Sequence, residues 1–539
     1  MSASTPGAGT VVRRILVYVI LLALVVITAI GVSGLLERVL GAGRELVADD
    51  AGLAASLAFT FIGGPLAGVL WWWQQRRLAD PAERASLTWA LYVAAATTAS
   101  LIVFSTALAS VVSDGIAGEW EPEAASVAIV WAAVWVLHGL MRASSRISPT
   151  RLPTLPVLLG GVFGLAMLAI GAVDALAELI AEALSFAEPV LAGGTNWWLT
   201  VLQAAVTAAI GALVWWWHWF RQRGRDAAGA FADVVQVVVT GALTLTALFG
   251  AGTVLFVILR LLFDTDPIAE VLSPLDTALG AVLIGGVLWA YHYPVLARRG
   301  SSVLRASRLV TSAIALIGAA SGFGVVVNAL LATFTATLVD DDPRTLLLGG
   351  LSALVVGFPV WWIAWRPERS VAAEDAADTG RRVYLIAVFG ASAVVAIVTL
   401  LLIGYRVFEY VLDPSGFSGF VERVRAPFGL LAATVVVFAY HFAVWRRDRA
   451  LARTIEPEAK PTIGRIVLVS TASEADALSA YFRDQLGVRV STLRAAETVP
   501  AADPEAMPAV VDELRGISAP TVLVLAAGAE GARVIPLTD

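Results

Sequence analysis

The sequence contains no cysteine, a single lysine (Lys460) and only four histidines among its 539 residues. Without cysteine, the chain has no disulfide, no thiolate metal site and no cysteine nucleophile. Charge is also scarce, because Asp, Glu, Lys and Arg together make up 15% of the residues, whereas soluble proteins average about 25%. Hydrophobic residues instead make up 58% of the chain. This composition argues against an ordinary soluble protein.

The hydrophobic residues form about a dozen continuous runs. An apolar run of about 20 residues crosses a bilayer as a helix, and the runs lack the period-two alternation of membrane β-strands. The predicted fold class is therefore an all-α polytopic membrane protein of about 12 transmembrane helices, followed by a small α/β domain. The predicted spans are 15–36, 53–73, 87–112, 125–141, 155–173, 197–220, 234–262, 275–293, 309–333, 345–365, 383–405 and 427–445. Residues 174–189 are expected to form a short helix on the outer surface.

The distribution of arginine predicts the orientation of these spans. Loops on the amino-terminal side of the membrane hold 22 arginines, and loops on the opposite side hold 7 and are rich in acidic residues instead. Because positively charged loops stay in the cytoplasm, both termini are expected to be cytoplasmic.

An aromatic residue followed by arginines marks the end of every second span. The fourth position of the mark is histidine in four of the six copies, and these account for every histidine in the chain. The copies are Trp71-Trp72-Trp73-Gln74, Trp135-Val136-Leu137-His138, Trp215-Trp216-Trp217-His218, Trp289-Ala290-Tyr291-His292, Trp361-Trp362-Ile363-Ala364 and Phe438-Ala439-Tyr440-His441. Each unit between marks is a predicted helical hairpin.

The marks alternate between two types, which indicates a longer repeat. Trp71, Trp215 and Trp361 recur 144 and 146 residues apart, and His138, His292 and His441 recur 154 and 149 residues apart. The hairpins therefore pair into a four-helix module that occurs three times, as parallel repeats. The predicted organisation is a cytoplasmic N-terminus (1–14), three membrane modules (15–142, 143–299 and 300–450), a linker (451–462) and a soluble α/β domain (463–539).

This array resembles the prokaryotic membrane family called domain of unknown function 5671, over about residues 10–450. The resemblance implies tandem helical hairpins with a tryptophan-rich, arginine-flanked end in a prokaryotic inner membrane. The family has no established activity and so supplies no catalytic residues. Gln74 and Ala364 replace the histidine in two odd-numbered hairpins, which argues against an obligatory histidine there.

The histidines allow two interpretations. His138, His218, His292 and His441 are candidate haem or metal ligands, because neutral imidazole is the commonest metal ligand. The alternative, which we favour, is an interfacial belt of tryptophan, tyrosine and histidine with polar tips near the headgroups. No carboxylate recurs beside the histidines as an outer partner, so no cofactor and no metal site are expected. The belt is predicted at Trp71, Trp135, Trp215, Trp289, Trp361 and Phe438.

Pairs of glycines four residues apart predict close helix packing, because small residues let helix backbones approach. The pairs are Gly64 with Gly68, Gly160 with Gly164, and Gly318 with Gly322. We expect them to pack helices within one chain, and a homo-oligomer is the alternative.

The tail after the last span predicts a small domain in the order β-α-β-α-β-β, with strands at 465–470, 488–493, 521–525 and 533–537 and helices at 473–486 and 506–516. Residues from 451 onward carry 8 basic and 12 acidic side chains, so nucleic acid is not an expected partner. The expected partners are the lipid bilayer and a cytoplasmic protein that binds residues 463–539.

No acid–base pair or catalytic triad is evident, so the predicted function is non-enzymatic: a scaffold or sensor with a partner- or ligand-binding α/β module. Ionisable residues are nearly absent from the span centres, which argues against ion-coupled transport. A passive transporter or channel is one alternative. A haem- or metal-bearing redox protein that uses the repeated histidines is the other.

Overall fold

A computed structural model describes residues 8–42, 49–185, 196–334, 343–369, 372–376, 378–412, 420–452, 463–471, 474–494, 506–517, 519–526 and 532–537. The chain divides into two compact units. One consists of residues 1–370 and 380–444, and the other of residues 371–379 and 445–539.

In the described residues, twelve helices are long and apolar enough to cross a bilayer, as the sequence predicted. They are α1 (Ala8–Leu40), α2 (Asp50–Arg77), α3 (Leu87–Ile116), α4 (Pro122–Ala143), α5 (Leu155–Leu184), α6 (Trp197–Arg221), α7 (Ala230–Phe263), α8 (Ile268–Ala297), α9 (Ser301–Ala332), α10 (Pro343–Glu368), α11 (Thr379–Leu412) and α12 (Phe420–Ala452).

Most of these helices extend beyond the predicted spans, because polar residues near the ends continue the helical hydrogen bonding. The clearest case is α5, which runs without interruption to Leu184. The expected separate surface helix at 174–189 is therefore wrong for the part up to Leu184, and residues 186–189 lie outside the described residues. Local sequence still sets several helix starts. Ser86, for example, caps α3 by accepting a hydrogen bond from the Trp89 amide at 3.3 Å.

Glycine allows the closest helix contacts in the bundle. A Cβ atom on Gly211 of α6 would lie 2.3 Å from the backbone nitrogen of Leu168 in α5. A Cβ on Gly357 of α10 would lie 2.6 Å from the backbone nitrogen of Ala319 in α9. Each glycine stands four residues before a mark tryptophan, Trp215 or Trp361. The second and third sets of four helices therefore share the same close crossing between their first two helices.

Side-chain contacts group the loops into two ends. At one end, the start of α1 meets the loop after α2 through Arg14 and Glu83 (2.9 Å), and Arg84 donates to the Ser145 carbonyl in the loop after α4 (2.9 Å). We call this the arginine end. At the other end, Arg344 at the start of α10 donates to the Phe263 carbonyl at 3.2 Å. Arginine-rich loops thus contact one another at one end, and loops of the other kind do so at the opposite end. The side of the membrane that each end faces stays a prediction.

The C-terminal domain has the predicted order of elements. The strands are β1 (Arg465–Ser470), β2 (Arg489–Arg494), β3 (Thr521–Leu525) and β4 (Arg533–Leu537), and the helices are α13 (Ala475–Leu486) and α14 (Met507–Arg515). The sheet order is β2-β1-β3-β4. The pairings of β1 with β2 and with β3 are parallel, and β3 pairs with β4 antiparallel.

The core of this domain lies on one face of the sheet. Phe482 from α13 and Leu514 from α14 pack with Ile466, Leu468 and Val524, and all five are buried. Alternate strand residues therefore point into this core, and the residues between them point to the opposite face.

The carboxylate of Asp264, just after α7, ties that helix to the start of α10. It accepts hydrogen bonds from Arg260 Nε at 2.8 Å and from Thr345 Oγ1 at 3.2 Å. The Arg260 guanidinium holds the pKa of the Asp264 carboxyl below its usual value.

A carboxyl whose pKa is lowered on folding stabilises the protein above its ordinary pKa of about 3.9, and this contribution disappears as the pH falls through the lowered value. We therefore expect the thermal midpoint of wild type to drop below about pH 4, and Asp264→Asn to reduce that drop. Differential scanning fluorimetry across pH 3–7 measures the thermal midpoint of both proteins. Glu270 is exposed, and Glu270→Gln is the control. An equal effect of both variants on the acid drop of the thermal midpoint would contradict the prediction.

The absence of cysteine permits a direct test of orientation. Glu119, in the loop between α3 and α4, and Ala79, after α2, are both exposed. We expect a membrane-impermeant maleimide to label Glu119→Cys in intact spheroplasts and Ala79→Cys only after lysis, because arginine-rich loops stay inside. Labelling in the reverse order would show the opposite orientation.

Candidate functional site

The fourth position of every aromatic–arginine mark is buried in the bundle. Gln74, His138, His218, His292, Ala364 and His441 are each exposed by 8% or less. The first and fourth positions share a helix face, because residues three apart are neighbours on a helix surface. The second position is exposed in all six copies, as Trp72, Trp216 and Trp362 illustrate, whereas the third position is half-buried in two of them, at Trp73 and Tyr440. The mark is thus a helical turn whose fourth position, a polar residue in five of the six copies, lies inside the bundle.

This burial places the histidines inside the protein. Each imidazole is at most 1% exposed, so protein atoms surround it, and its depth in the bilayer stays a prediction. The six aromatic residues of the proposed belt lie less deeply: Trp71, Trp135, Trp215 and Phe438 are half-buried, Trp361 is buried and Trp289 is 36% exposed. Their position at the bilayer surface stays a prediction.

Three of the histidines are oriented by their own helix. Nδ1 of His138, of His218 and of His441 lies 2.8, 2.8 and 2.9 Å from the carbonyl of the valine four residues earlier. A carbonyl oxygen only accepts, so Nδ1 carries the hydrogen in each. Nε2 of a neutral imidazole is then left as an acceptor.

The Nε2 atoms meet different surroundings. His138 Nε2 accepts from the Tyr92 hydroxyl at 3.1 Å. Among the described residues, Nε2 of His218 and of His441 has no hydrogen-bond partner, and neither has either ring nitrogen of His292. The ring of His218 lies against Gly160, where a Cβ atom would come within 2.6 Å of Nε2. Only the first set of four helices therefore satisfies its histidine fully.

Aromatic rings surround the histidines of the second and third sets in the same way. Trp219 Nε1 donates to the hydroxyl of Tyr291 at 3.0 Å, and Trp365 Nε1 donates to the hydroxyl of Tyr440 at 2.8 Å. In both sets the accepting tyrosine directly precedes the histidine, and the tryptophan ring lies beside the imidazole, with centroids 5.1 Å apart at His292 and 5.7 Å at His441. These contacts fix the imidazole positions.

A buried carboxylate lies at the arginine end of the first set. Glu83, 4% exposed, accepts hydrogen bonds from Arg14 at 2.9 Å and from Gln74 at 3.2 Å. The hydroxyl of Tyr18 donates to it at 3.3 Å. Glu83 thus joins the loop after α2 to the start of α1, and it also holds Gln74, the residue that replaces histidine in this mark.

The third set has a counterpart in Glu368, which is 1% exposed. Arg381 of α11, whose side chain is fully buried, binds this carboxylate at 3.0 Å, and Arg305 of α9 lies 3.4 Å from it. Arg308 adds a third positive charge at 3.9 Å. Glu83 follows the second helix of its set and Glu368 ends the second helix of its set, and both bind arginines from the first helix.

No sequence motif indicated either carboxylate. The only local signal is that Glu83 and Glu368 follow the fourth position of an odd-numbered mark within nine residues. Glu83 and Arg14 are 69 residues apart, so a single sequence gives no sign that they meet.

The described residues contain no group of three or more His, Cys, Asp or Glu side chains placed to hold a metal ion. The four imidazoles stand on four different helices and have separate neighbours. The arrangement therefore does not fit a metal centre built from converging histidines, which was one of the alternatives from the sequence.

The predicted glycine pairs differ in their surroundings. Gly160, Gly164 and Gly322 face close neighbours, since a Cβ there would lie within 2.6 Å of another residue. Gly64 makes an ordinary contact with Thr28, at 3.5 Å. Gly68 and Gly318 have nothing within 4 Å of a Cβ atom among the described residues. Each pair thus contains at least one glycine that faces a neighbouring helix, and both glycines of the second pair, Gly160 and Gly164, do so.

A family model with the description "Domain of unknown function (DUF5671)" matches the chain three times, over residues 14–141, 154–287 and 305–440. The matches cover α1–α4, α5–α8 and α9–α12 in turn. They confirm an internal repeat in the chain. No curated protein and no solved structure matches it.

The Glu368 cluster predicts a large effect of a small substitution. Glu368→Gln leaves Arg381 buried without its carboxylate, and removal of one partner from a buried ion pair costs about 3–5 kcal/mol. We expect a clear fall in the thermal midpoint of the detergent-solubilised protein. Glu409→Gln is the matched control, because Glu409 and its partner Arg406 are 39% and 35% exposed, and such pairs contribute about 0–1 kcal/mol. Equal effects would refute a structural role for Glu368.

Proposed function

Since the chain belongs to the family described as domain of unknown function (DUF5671), whose description names no activity, we propose a function from the structure: the protein is a non-enzymatic sensor or scaffold of the prokaryotic inner membrane. Both termini lie in the cytoplasm, in keeping with the arginine distribution. The C-terminal α/β domain binds a cytoplasmic protein partner. The observation that carries this proposal is the sheet face opposite α13 and α14.

This open face is mainly apolar. In β1 and β3, Val467, Val469, Leu523 and Leu525 point to it and are half-buried, whereas their neighbours Ile466, Leu468, Val522 and Val524 are fully buried on the other face. The edge strands extend the apolar surface. Leu493 pairs with Val469 and is 57% exposed, and Ile535 pairs with Leu523 and is 39% exposed. Contiguous exposed apolar surface is typical of protein interaction sites.

The charge on the face indicates the kind of partner. Arg465, Arg489 and Arg533 lie on the open face, are exposed, and carry positive charge at its margins. The four strands contain no acidic residue. A partner with an apolar patch rimmed by carboxylates complements this surface.

Site-specific photo-crosslinking in the full-length protein tests the proposal. With benzoylphenylalanine at Leu493, we expect a protein adduct in host membranes, because this residue lies on the open face. The same probe at Gln485, exposed on α13, is the control and should form none. Ile535→Asp should abolish the Leu493 adduct, because it places a charge in the apolar patch.

The proposal fails if Leu493 forms no adduct, or if its adduct survives Ile535→Asp. Ile535 lies on the exposed edge strand β4, so the substitution should leave the domain folded, and circular dichroism checks this directly.

A further inference from the structure

An open groove of about 840 Å³ lies at the arginine end of the second set, between the loop after α6, the start of α7 and the end of α8. The charged residues that line it are Arg225, Asp226, Asp233, Arg298 and Arg299. Three of them are positive and two are negative. The groove therefore carries one net positive charge.

The other two sets bury a carboxylate at the corresponding place in the sequence. Glu83 and Glu368 each bind arginines from the first helix of their set. Asp226 follows His218, the fourth position of its mark, by eight residues, but its side chain is 57% exposed. The first helix of this set, α5, contains no arginine that would bury it. The second set therefore ends in an open, charged groove.

Arg299 fixes the shape of the groove. Its guanidinium donates to the carbonyls of Ala227 at 2.9 Å and Arg225 at 3.1 Å. It also donates to the carboxylate of Asp233 at 3.1 Å, and its side chain is only 10% exposed. These bonds hold the loop after α6 and the start of α7 to the end of α8. They also neutralise Asp233, so the groove is built by the protein itself.

Arg298 and Arg225 supply the accessible positive charge. Arg298 is exposed, and its side chain makes no hydrogen bond or ion pair with another described residue. Arg225 is 49% exposed and lies 3.4 Å from Asp226. An exposed pair of this kind contributes about 0–1 kcal/mol, so a stronger ligand displaces it readily. Guanidinium groups suit phosphate, because their fixed N–H donors match its oxygens.

We infer that this groove binds the phosphate of an anionic phospholipid headgroup, with Arg298 as its main contact and Arg225 as the second. The ends of spanning helices lie at the level of the headgroups, and an arginine near an anionic membrane surface contributes about 1 kcal/mol. Tyr291, Pro294 and Val295 also line the groove and suit the apolar part of a lipid. The site lies in the membrane unit and does not depend on the partner proposed for the C-terminal domain.

Native mass spectrometry of the purified full-length protein tests the inference, with phosphatidylglycerol and phosphatidylcholine as the two probes. We expect wild type to bind phosphatidylglycerol more tightly, because only this headgroup has a net negative charge. Arg298→Gln should weaken binding of the first phosphatidylglycerol about fivefold, the equivalent of about 1 kcal/mol, and leave phosphatidylcholine unchanged. Arg151→Gln is the matched control, because Arg151 is exposed at the same end and does not line the groove.

Asp226→Asn should act in the opposite direction. It removes a negative charge from the groove and frees Arg225, so we expect it to strengthen phosphatidylglycerol binding. The inference is overturned if Arg298→Gln binds phosphatidylglycerol as wild type does, if Arg151→Gln has an equal effect, or if Asp226→Asn weakens binding.

A soluble phosphate compound presents the same chemistry as the headgroup, and inorganic phosphate separates the two sources. We expect the bound phosphatidylglycerol to remain when inorganic phosphate is added, because the lipid also contacts the apolar side of the groove. Displacement of the lipid by inorganic phosphate would overturn the assignment to a lipid and make a soluble phosphate compound the ligand.

Discussion

Polar groups inside a bilayer-spanning bundle have little water to bind, so partners within the protein are what stabilise them. This constraint explains the arginine end of the molecule. Glu83 and Glu368 are buried there, and each is surrounded by arginines from a different helix. A buried carboxylate without such partners would be strongly destabilising. The same pairs join the first helix of a set to the end of the second helix or to the loop directly after it. The need to neutralise charge therefore also fixes which helix ends meet.

The histidines meet the same constraint only in part. Their Nδ1 atoms use a carbonyl of the same helix in three of four cases, which needs no other element. Their Nε2 atoms depend on the neighbouring helices, and there the sets diverge. Tyr92 satisfies His138, the ring of His218 is closed off by Gly160, and His441 lies at a cavity. One repeated turn of sequence therefore yields three different environments. A repeated motif of this kind does not imply a repeated function.

The two units of the chain follow different rules of packing. In the membrane unit, glycines such as Gly211 and Gly357 bring backbones together, and aromatic rings fill the wider gaps around the histidines. In the C-terminal domain, Phe482 and Leu514 bury one face of a sheet by the ordinary hydrophobic effect. The opposite face carries half-buried valines and leucines, and the proposed partner would cover it.

The sequence by itself determined the twelve apolar helices, the two kinds of loop, the internal repeat and the strand and helix order of the C-terminal domain. These features depend on composition and periodicity over short windows, where local residues decide the outcome. Only the tertiary structure decided that the histidines face inward, that Glu83 and Glu368 are buried, and that His441 adjoins a cavity. Those features depend on the rotation of each helix about its axis and on partners 60 or more residues away, as with Glu83 and Arg14. The sequence could not place the histidines for this reason: an aromatic turn followed by arginine fits a lipid-facing surface and a buried helix contact equally well, and packing with the neighbouring helices buried the imidazoles.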